Sequence, residues 1–203
     1  MIKIKDLKYQ EYVTLQKEKT SDPTRREKWV SAIYENAFKF QDTFQNYIDL
    51  LSEHSEEAVY CLGARTGEEA LALRLLGFSN CYGTDLIPHA EHVIEDDIHD
   101  MQFEENTVGL FYSNIFDHSI YPKKFLNEIV RCLRPGGHAF LQLQLGRELD
   151  HYGVLEIEAP QDFHELLDDA DLTNRIKVVV SEKNTVLTPH NHSLNWNVIF
   201  QKI

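Results

Sequence analysis

Short apolar runs alternate with helix-forming segments along most of the chain. The first run, residues 58–62, enters a turn that contains Gly63 and Gly67, and a helix-forming segment follows over residues 68–76. This pattern predicts a buried strand, a tight turn and a helix N-terminus. Glycine lets a backbone approach a ligand closely, and the N–H groups of a helix start favour a carboxylate or phosphate, so the turn predicts a nucleotide-like ligand.

Six further apolar runs predict more strands, over residues 80–85, 93–98, 108–114, 139–145, 175–180 and 194–200. Residues 108–114 are apolar on both faces for most of their length, as expected of a buried parallel strand. Only a polar, loop-like stretch joins the last two runs. A parallel crossover needs a dozen or more residues and usually a helix, so these two runs predict an antiparallel hairpin.

Two helices are predicted by apolar stripes. One begins at Pro122, and its stripe is Phe125, Leu126, Ile129, Val130 and Leu133. The other begins with Asp22 as N-cap and Pro23 as first helical residue, and its stripe is Trp29, Ile33, Ala37, Phe40 and Phe44. We expect the second stripe to pack on the sheet or on neighbouring helices. The alternative is a lid or a wall of a substrate site.

The spacing of the glycines separates two kinds of nucleotide site. A dinucleotide fingerprint G-x-G-x-x-G that starts at Gly63 requires glycine where the chain has Arg65 and Glu68, so a dehydrogenase is disfavoured. The turn instead resembles the x-G-x-G-x-G loop of class I S-adenosyl-L-methionine (SAM) methyltransferases of the type 11 kind, with Gly63 and Gly67 as first and third glycines. Residues 133–137, LRPGG, match this family's L-[KR]-P-G-G signature between a helix and a strand.

The resemblance spans roughly residues 58–203 and implies an α/β three-layer sandwich. Its sheet is expected to have seven mostly parallel strands and a C-terminal antiparallel hairpin. Residues 1–203 would form a single methyltransferase-like domain, with residues 1–57 as a helical extension and residues 58–203 as the Rossmann-like core. The implied cofactor is SAM, and the implied activity is methyl transfer to a small-molecule or protein acceptor.

The resemblance also implies which residues contact SAM. Asp85 lies twenty-two residues beyond Gly63, near the roughly 20-residue offset at which an acid meets a ribose hydroxyl. Asp97 is expected at the adenine amino group, with Asp96 or a merely solvated acidic loop as the alternatives. The predicted set is Gly63, Ala64, Arg65, Gly67, Asp85, Leu86, Asp97, Ile98 and Asn114.

Two residues depart from the family loop. Cys61 stands where the family usually has an acid that supports the methionine end of SAM, and Arg65 replaces the middle glycine. An Arg–carboxylate pair is a strong charge-assisted interaction, so one hypothesis is that Arg65 binds the methionine carboxylate. The alternative is that its side chain projects into solvent. Both departures also motivate a second function, a non-catalytic SAM-binding or protein-interaction module with the same fold.

The residues after the fourth predicted strand are the candidates for catalysis. Asp117 and His118 lie there, beside the expected position of the transferred methyl group. The pKa of an unperturbed histidine, about 6.5, suits proton removal, so His118 is predicted to be the base or an acceptor anchor. Asp117 would orient His118 or the acceptor. The alternative is that both only hydrogen-bond their loop. His151 and Tyr152 are weaker candidates for a substrate wall.

Charge and composition indicate which classes of binding partner to expect. The 203 residues suit one domain, and a net charge of −13 argues against a nucleic-acid surface, which needs clustered Lys and Arg. One basic patch is mixed with acids and is interpreted as a solvated helix face: Lys17, Lys19, Arg25, Arg26 and Lys28. No segment resembles a signal peptide or a membrane span, so a cytoplasmic protein is expected.

No metal site and no disulfide are predicted. The three cysteines lack C-x-x-C spacing and are expected to be buried thiols. Two histidine pairs, His89 with His92 and His190 with His192, have no companion acid at a recognisable ligand spacing.

Overall fold

The computed structural model describes residues 1–186 and 194–203, and the pair His190 and His192 considered above lies outside these residues. Its strands are β1 (Ile2–Ile4), β2 (Val59–Leu62), β3 (Cys81–Asp85), β4 (Val93–Glu95), β5 (Val108–Ser113), β6 (Leu133–Leu143), β7 (Leu155–Ile157), β8 (Ile176–Lys183) and β9 (Trp196–Lys202). Its α-helices are α1 (Tyr9–Ser21), α2 (Pro23–Ser31), α3 (Ile33–Gln45), α4 (Ile48–Leu51), α5 (Glu68–Leu75), α6 (Pro122–Cys132) and α7 (Pro160–Asp169). Two 3₁₀ turns span Ser52–His54 and Phe116–His118.

Seven strands form the central sheet in the order β4-β3-β2-β5-β6-β9-β8. The first five are parallel neighbours, whereas β9 is antiparallel to both β6 and β8. This confirms the predicted mostly parallel sheet with a C-terminal antiparallel hairpin. The chain moves outward from β2 to β4 and then returns to the other side of β2 as β5. Ligands of open α/β sheets bind at such a reversal, outside the carboxyl ends of the strands.

Helices cover both faces of the sheet, which gives three layers. On one face, α6 and α7 bury a cluster that includes Phe125, Ile129, Phe163 and Leu166. On the other, α3 and α5 bury Ala37, Phe40, Phe44, Ala70 and Leu73. The predicted stripe of α6 is therefore confirmed, except that Leu133 is the first residue of β6. Pro135 explains this end, because the residue before a proline avoids helical backbone angles.

The N-terminal segment differs from the single helix that its stripe predicts. Asp22 does cap a helix, since its Oδ1 accepts the N–H of Arg25 at 2.8 Å, and Pro23 is the first helical residue. This helix, α2, ends at Ser31, and α3 begins at Ile33, after Ala32, whose φ of −103° and ψ of 1° are not helical. Trp29 is thereby separated from the buried part of the stripe. The prediction of one continuous stripe is wrong for this reason.

Several elements were not predicted from the sequence, namely α1, α7 and a second sheet in which β1 pairs antiparallel with β7. Each strand of that second sheet has only three residues, too few for a periodic pattern. All three cysteines are buried free thiols, as expected. Within the described residues, no helix is both long and apolar enough to cross a bilayer.

A buried chain of hydrogen bonds ties the N-terminal helices to the sheet. The Tyr112 hydroxyl donates to Gln142 Oε1 at 2.6 Å, and Gln142 Nε2 donates to Asn197 Oδ1 at 2.9 Å. Asn197 Nδ2 then donates to the hydroxyl of Tyr47, which follows α3, at 2.8 Å. This series of hydrogen bonds crosses β5, β6 and β9 in turn. Tyr112, Gln142 and Asn197 are buried, whereas Tyr47 is partly exposed, so losing the Tyr112 or Gln142 donor leaves an acceptor that water cannot reach.

Tyr112→Phe is expected to lower the free energy of unfolding by about 1–3 kcal/mol, because it leaves Gln142 Oε1 buried without a donor. Urea unfolding followed by circular dichroism measures this loss. Tyr82→Phe is the matched control, since Tyr82 is 37% exposed and its hydroxyl has no hydrogen-bond partner among the described residues. Equal stability of the two variants would show that the hydrogen-bond chain contributes nothing.

Candidate active site at the carboxyl ends of the strands

A cavity of about 420 Å³ lies where the parallel strands end. This volume is within the range of about 300–1,000 Å³ that small-molecule sites occupy. The turn after β2 and the ends of β3, β4 and β5 form its floor. Helices α1 and α2 form a facing wall through Tyr12, Gln16, Lys19, Thr20, Arg25 and Trp29. The N-terminal helices thus contribute a wall of the cavity, as the alternative interpretation of this segment expected.

The turn between β2 and α5 needs its two glycines. Gly63 and Gly67 have φ values of +74° and +77°, which glycine adopts without strain. A Cβ atom on Gly63 would lie 2.5 Å from Ile115, and one on Gly67 would lie 2.2 Å from the His92 ring. Arg65 also has a positive φ, +39°, and is held by a hydrogen bond from its N–H to Asp85 Oδ2 at 3.1 Å.

Arg65 is held at the cavity rather than projecting freely into solvent. Its guanidinium carbon lies 4.0 Å from the centre of the Trp29 ring. Stacking on an aromatic face suits the planar guanidinium and leaves its edge donors available to a ligand. Trp29 comes from α2, so the contact also connects the N-terminal wall to the turn.

Asp85 lines the cavity at the end of β3, as the predicted ribose ligand should. Its Oδ1 accepts the N–H of Ile87 at 3.0 Å, while Oδ2 accepts from Arg65. Burial raises the pKa of Asp85 above its ordinary value, although these N–H groups and the Arg65 charge oppose the shift. The carboxylate is thus fixed in orientation by the backbone.

The two neighbouring acids after β4 have different environments. Asp96 lines the cavity, is only 7% exposed, and its Oδ2 has no partner among the described residues. Burial raises the pKa of Asp96 to about 6. Asp97 does not line the cavity. Its oxygens accept from the Tyr9 hydroxyl and the His99 N–H, and although burial opposes the shift, these bonds lower the pKa of Asp97 to about 2.

A buried carboxyl not singled out by the sequence lies behind Asn114. Asn114 lines the cavity, and its Nδ2 donates to Glu69 Oε1 at 3.0 Å. Glu69 Oε2 has no partner among the described residues. Burial, together with the adjacent Glu68, raises the pKa of Glu69 to about 8. The pKa of the Cys61 thiol is raised first by burial, then by the neighbouring Cys81, and also by the Glu69 carboxylate. Glu69 therefore lies near Cys61, the position where the family usually has an acid.

Asp117 and His118 are brought together at the far end of the cavity. His118 Nε2 lies 2.8 Å from Lys19 Nζ, and Nδ1 lies 3.1 Å from the carbonyl oxygen of Tyr152. Asp117 Oδ2 lies 3.7 Å from Nε2, and Asp117 Oδ1 has no partner among the described residues. The Tyr152 carbonyl therefore orients the ring more directly than Asp117 does. Burial lowers the pKa of His118, so the ring is neutral near pH 7.

The interpretation of the basic patch as a solvated helix face is wrong for Lys19 and Arg25. Both line the cavity, and the Arg25 guanidinium carbon lies 4.9 Å from the centre of the Tyr152 ring. Burial lowers the pKa of Lys19 to about 8, with the Arg65 charge acting in the same direction. The patch is therefore not a uniformly solvated face. Helical periodicity could not show this, because the residues that face Lys19 are about a hundred positions away in the chain.

Most of the predicted site residues line this cavity: Gly63, Arg65, Asp85, Leu86, Ile98, Asn114, Asp117, His118, His151 and Tyr152. Three predicted residues do not, namely Ala64, Gly67 and Asp97. Ala64 is buried against the sheet, where its N–H donates to the Thr84 carbonyl at 2.8 Å. Gly67 is the N-cap of α5. Sequence reasoning gave Asp96 only as the alternative to Asp97, and Trp29 only as part of a possible substrate wall. It missed Lys19, Arg25, Gln144, Arg147 and Asp150, which also line the cavity.

Two solved methyltransferase structures resemble the whole chain. A 1,6-didemethyltoxoflavin-N1-methyltransferase from Burkholderia thailandensis, with bound 1,6-didemethyltoxoflavin and S-adenosylhomocysteine, is 17% identical with a TM-score of 0.61 and covers 99% of this chain and 94% of its own. A Thermotoga maritima SAM-dependent methyltransferase, a possible histamine N-methyltransferase, is 12% identical with a TM-score of 0.61 and covers 93% of this chain and 100% of its own.

The same fold is also shared by a protein named for another reaction. The [4+2]-cyclase SpnF is 14% identical with a TM-score of 0.57, and covers 77% of this chain and 79% of its own. Identities this low show the fold alone. No curated protein matches the sequence significantly. Residues 60–141 match the family model of a methyltransferase domain. This match to part of the chain and the sheet order show that the chain has the fold of the class I SAM-dependent methyltransferases.

Proposed function

We propose that the protein transfers a methyl group from SAM to a small-molecule acceptor in this cavity. The observation that carries the proposal is a pair of buried carboxylate oxygens, Asp96 Oδ2 and Asp117 Oδ1, which belong to cavity-lining residues and have no partner among the described residues. Buried polar atoms are normally hydrogen-bonded, so unpartnered acceptors in a cavity favour a ligand with several donors. SAM has such donors in its adenine amino group, ribose hydroxyls and ammonium group.

The cavity residues fit the parts of SAM. Asp85 would accept from the ribose hydroxyls. Asp96 would accept from the adenine amino group, with the backbone N–H of Ile98 beside it. We prefer Asp96 to the sequence prediction of Asp97, because both oxygens of Asp97 already accept hydrogen bonds. The cavity volume of about 420 Å³ is adequate for such a ligand.

The methionine end would lie between Arg65 and Asn114. The Arg65 guanidinium, positioned by Trp29, would bind the carboxylate. Because Asn114 Nδ2 donates to Glu69, the Asn114 amide oxygen is left as an acceptor for the ammonium group. In this arrangement Glu69 is a positioning residue that holds the Asn114 amide, and with its pKa raised to about 8 its carboxyl is mostly protonated near pH 7.

SAM, when bound, supplies a methyl group activated by its sulfonium, and the protein must align the acceptor with it and exclude water. Lys19, Arg25, Arg147, Asp117 and Asp150 line the remaining part of the cavity and would hold a polar acceptor. His118 would take the acceptor proton on Nε2 once the acceptor displaces Lys19 Nζ from it, because Nδ1 is bound to the Tyr152 carbonyl. The small-molecule acceptor named for the Burkholderia structure supports the choice of a small molecule over a protein.

Binding of S-adenosylhomocysteine tests the cofactor site, because this product keeps every proposed contact. Calorimetric titration is expected to show saturable binding, with affinity at least about tenfold lower in Asp96→Asn than in the wild type, since a charge-assisted bond contributes roughly 1.5–3 kcal/mol. Asp97→Asn is the matched control, because it removes a neighbouring charge that does not line the cavity. Equal affinity losses in the two variants would contradict the assignment of Asp96.

The same titration separates the two candidate functions. A methyltransferase is expected to bind S-adenosylhomocysteine but not NADH in this titration. In a separate turnover assay with small amine or hydroxyl acceptors, it is also expected to convert SAM to S-adenosylhomocysteine. Binding without turnover across such a set would favour the non-catalytic module. No binding at millimolar concentration would remove the SAM proposal altogether.

His118→Ala is expected to lower kcat for the acceptor so identified by about 10²–10⁴-fold, as for loss of a positioned base. The affinity for S-adenosylhomocysteine should stay within twofold of the wild type. His164→Ala, which changes a histidine on α7 outside the cavity lining, serves as the control. Near-normal turnover of the His118→Ala protein at saturating acceptor would rule out the base role.

The Lys19 amine should give the stability of the protein a defined pH dependence. Burial lowers the pKa of Lys19 from 10.5 to about 8. Below pH 8 the folded protein must hold a desolvated charge, which is unfavourable. Between pH 8 and 10.5 the unfolded chain binds more protons than the folded protein, so stability rises with pH. Lys19→Met should remove this rise. The unfolding free energy of the wild type minus that of the variant, measured from pH 7 to 10, should therefore increase above pH 8. A constant difference would contradict the shifted pKa.

A further inference from the structure

Three side chains with metal-binding atoms converge near the start of β2, and none of them lines the cavity. His54 ends the 3₁₀ turn Ser52–His54, Glu53 precedes it, and His138 is in β6. His54 Nε2 lies 2.7 Å from His138 Nδ1. Glu53 Oε1 lies 3.1 Å from His138 Nδ1 and 3.4 Å from His54 Nε2. The three atoms therefore form a compact triangle, which we call the His–His–Glu cluster.

The triangle has the size of one face of a metal coordination shell. Zinc bonds to histidine nitrogen and carboxylate oxygen are about 2.0–2.2 Å long, so two ligand atoms in a tetrahedral site are about 3.3 Å apart. The observed edges, 2.7 to 3.4 Å, bracket this separation. Small shifts of the Glu53 and His138 side chains would be enough to admit an ion.

An outer layer of hydrogen bonds orients the first histidine. His54 Nδ1 donates to Glu57 Oε2 at 2.9 Å, and Arg134 donates to both oxygens of Glu57 at 2.6 to 3.0 Å. A histidine ligand usually donates its other ring N–H to a carboxylate, which fixes the tautomer and ring orientation. With Nδ1 as donor, neutral His54 presents a lone pair at Nε2.

Without an ion, the three atoms share few protons. One proton on His138 Nδ1 can bridge to His54 Nε2 at 2.7 Å and, more weakly, to Glu53 Oε1 at 3.1 Å, whereas Glu53 Oε1 and the lone pair of His54 Nε2 lie 3.4 Å apart with no proton between them. Both rings are buried, at 0% and 1% exposure, whereas the Glu53 side chain is 52% exposed and free to turn toward water.

We propose that Glu53, His54 and His138 bind one divalent transition-metal ion, with Zn²⁺ as the first candidate. Two imidazoles and one carboxylate suit zinc better than Mg²⁺ or Ca²⁺, which prefer oxygen ligands. None of these residues lines the cavity, so the site is separate from the proposed methyl transfer.

The position of the site indicates a structural role. His138 pairs with Leu110 of β5, and His54 lies five residues before β2. A bound ion would join the segment between the N-terminal helices and the core to the centre of the sheet. His54 and His138 are 84 residues apart, which is why no histidine spacing in the sequence indicated the pair.

Zinc titration of tag-free, full-length protein after removal of metals with a chelator tests the proposal. The expected result is one Zn²⁺ bound per chain and a higher melting temperature, with Mg²⁺ producing neither effect. Glu53→Gln and His138→Gln should each weaken zinc binding by at least about tenfold. Glu56→Gln, which removes an exposed charge three residues further along, should bind zinc like the wild type.

The variants also distinguish zinc bound at this site from zinc bound by other histidines of the protein. Unchanged zinc affinity and stoichiometry in both Glu53→Gln and His138→Gln would overturn the proposal, and so would absence of binding to the wild type at millimolar Zn²⁺. Glu53 is half-exposed, so its variant keeps the test valid if the His138 variant does not fold. Binding of S-adenosylhomocysteine measured in the same proteins is expected to be unchanged, so that the outcome is independent of the proposed function.

Discussion

Asp85 accepts a hydrogen bond from the backbone N–H of Arg65, and this bond joins the end of β3 to the turn that leaves β2. The turn can approach a ligand only because Gly63 and Gly67 adopt positive φ values and carry no Cβ. Arg65, between them, has a positive φ without being glycine, a conformation that is unfavourable for an isolated residue. The Asp85 bond and the contact with Trp29 stabilise it. The floor of the cavity and its α2 wall therefore depend on one another.

Burial of ionisable groups is the second common feature of the site. Desolvation raises the pKa values of Asp85, Asp96 and Glu69 and lowers those of Lys19 and His118. Holding such groups out of water reduces stability, and clusters of shifted groups in a cleft are typical of functional sites. A ligand that carries an ammonium, a carboxylate and several hydroxyls would compensate several of them at once.

The fold alone does not determine the reaction. Solved structures that share it include two methyltransferases and a protein named as a cyclase. The assignment therefore depends on the side chains around the cavity. Among these side chains are three contacts through which the chain would set its chemistry: Arg65 with Trp29, Glu69 behind Asn114, and Lys19 against His118.

The sequence by itself determined the succession of the core strands along the chain, the glycine turn, the helix after Pro122 and the terminal hairpin, because these follow from local periodicity and backbone preference. It also placed Asp85 and His118 near the cavity, because residues that follow parallel strands meet at one edge of the sheet. The tertiary structure alone decided that Asp96 rather than Asp97 lines the cavity, that Lys19 faces His118, and that His54 meets His138. Periodicity reports which side of an element is buried, but not which distant side chain packs against it. Two adjacent acids or two remote histidines acquire different roles only when the chain is folded.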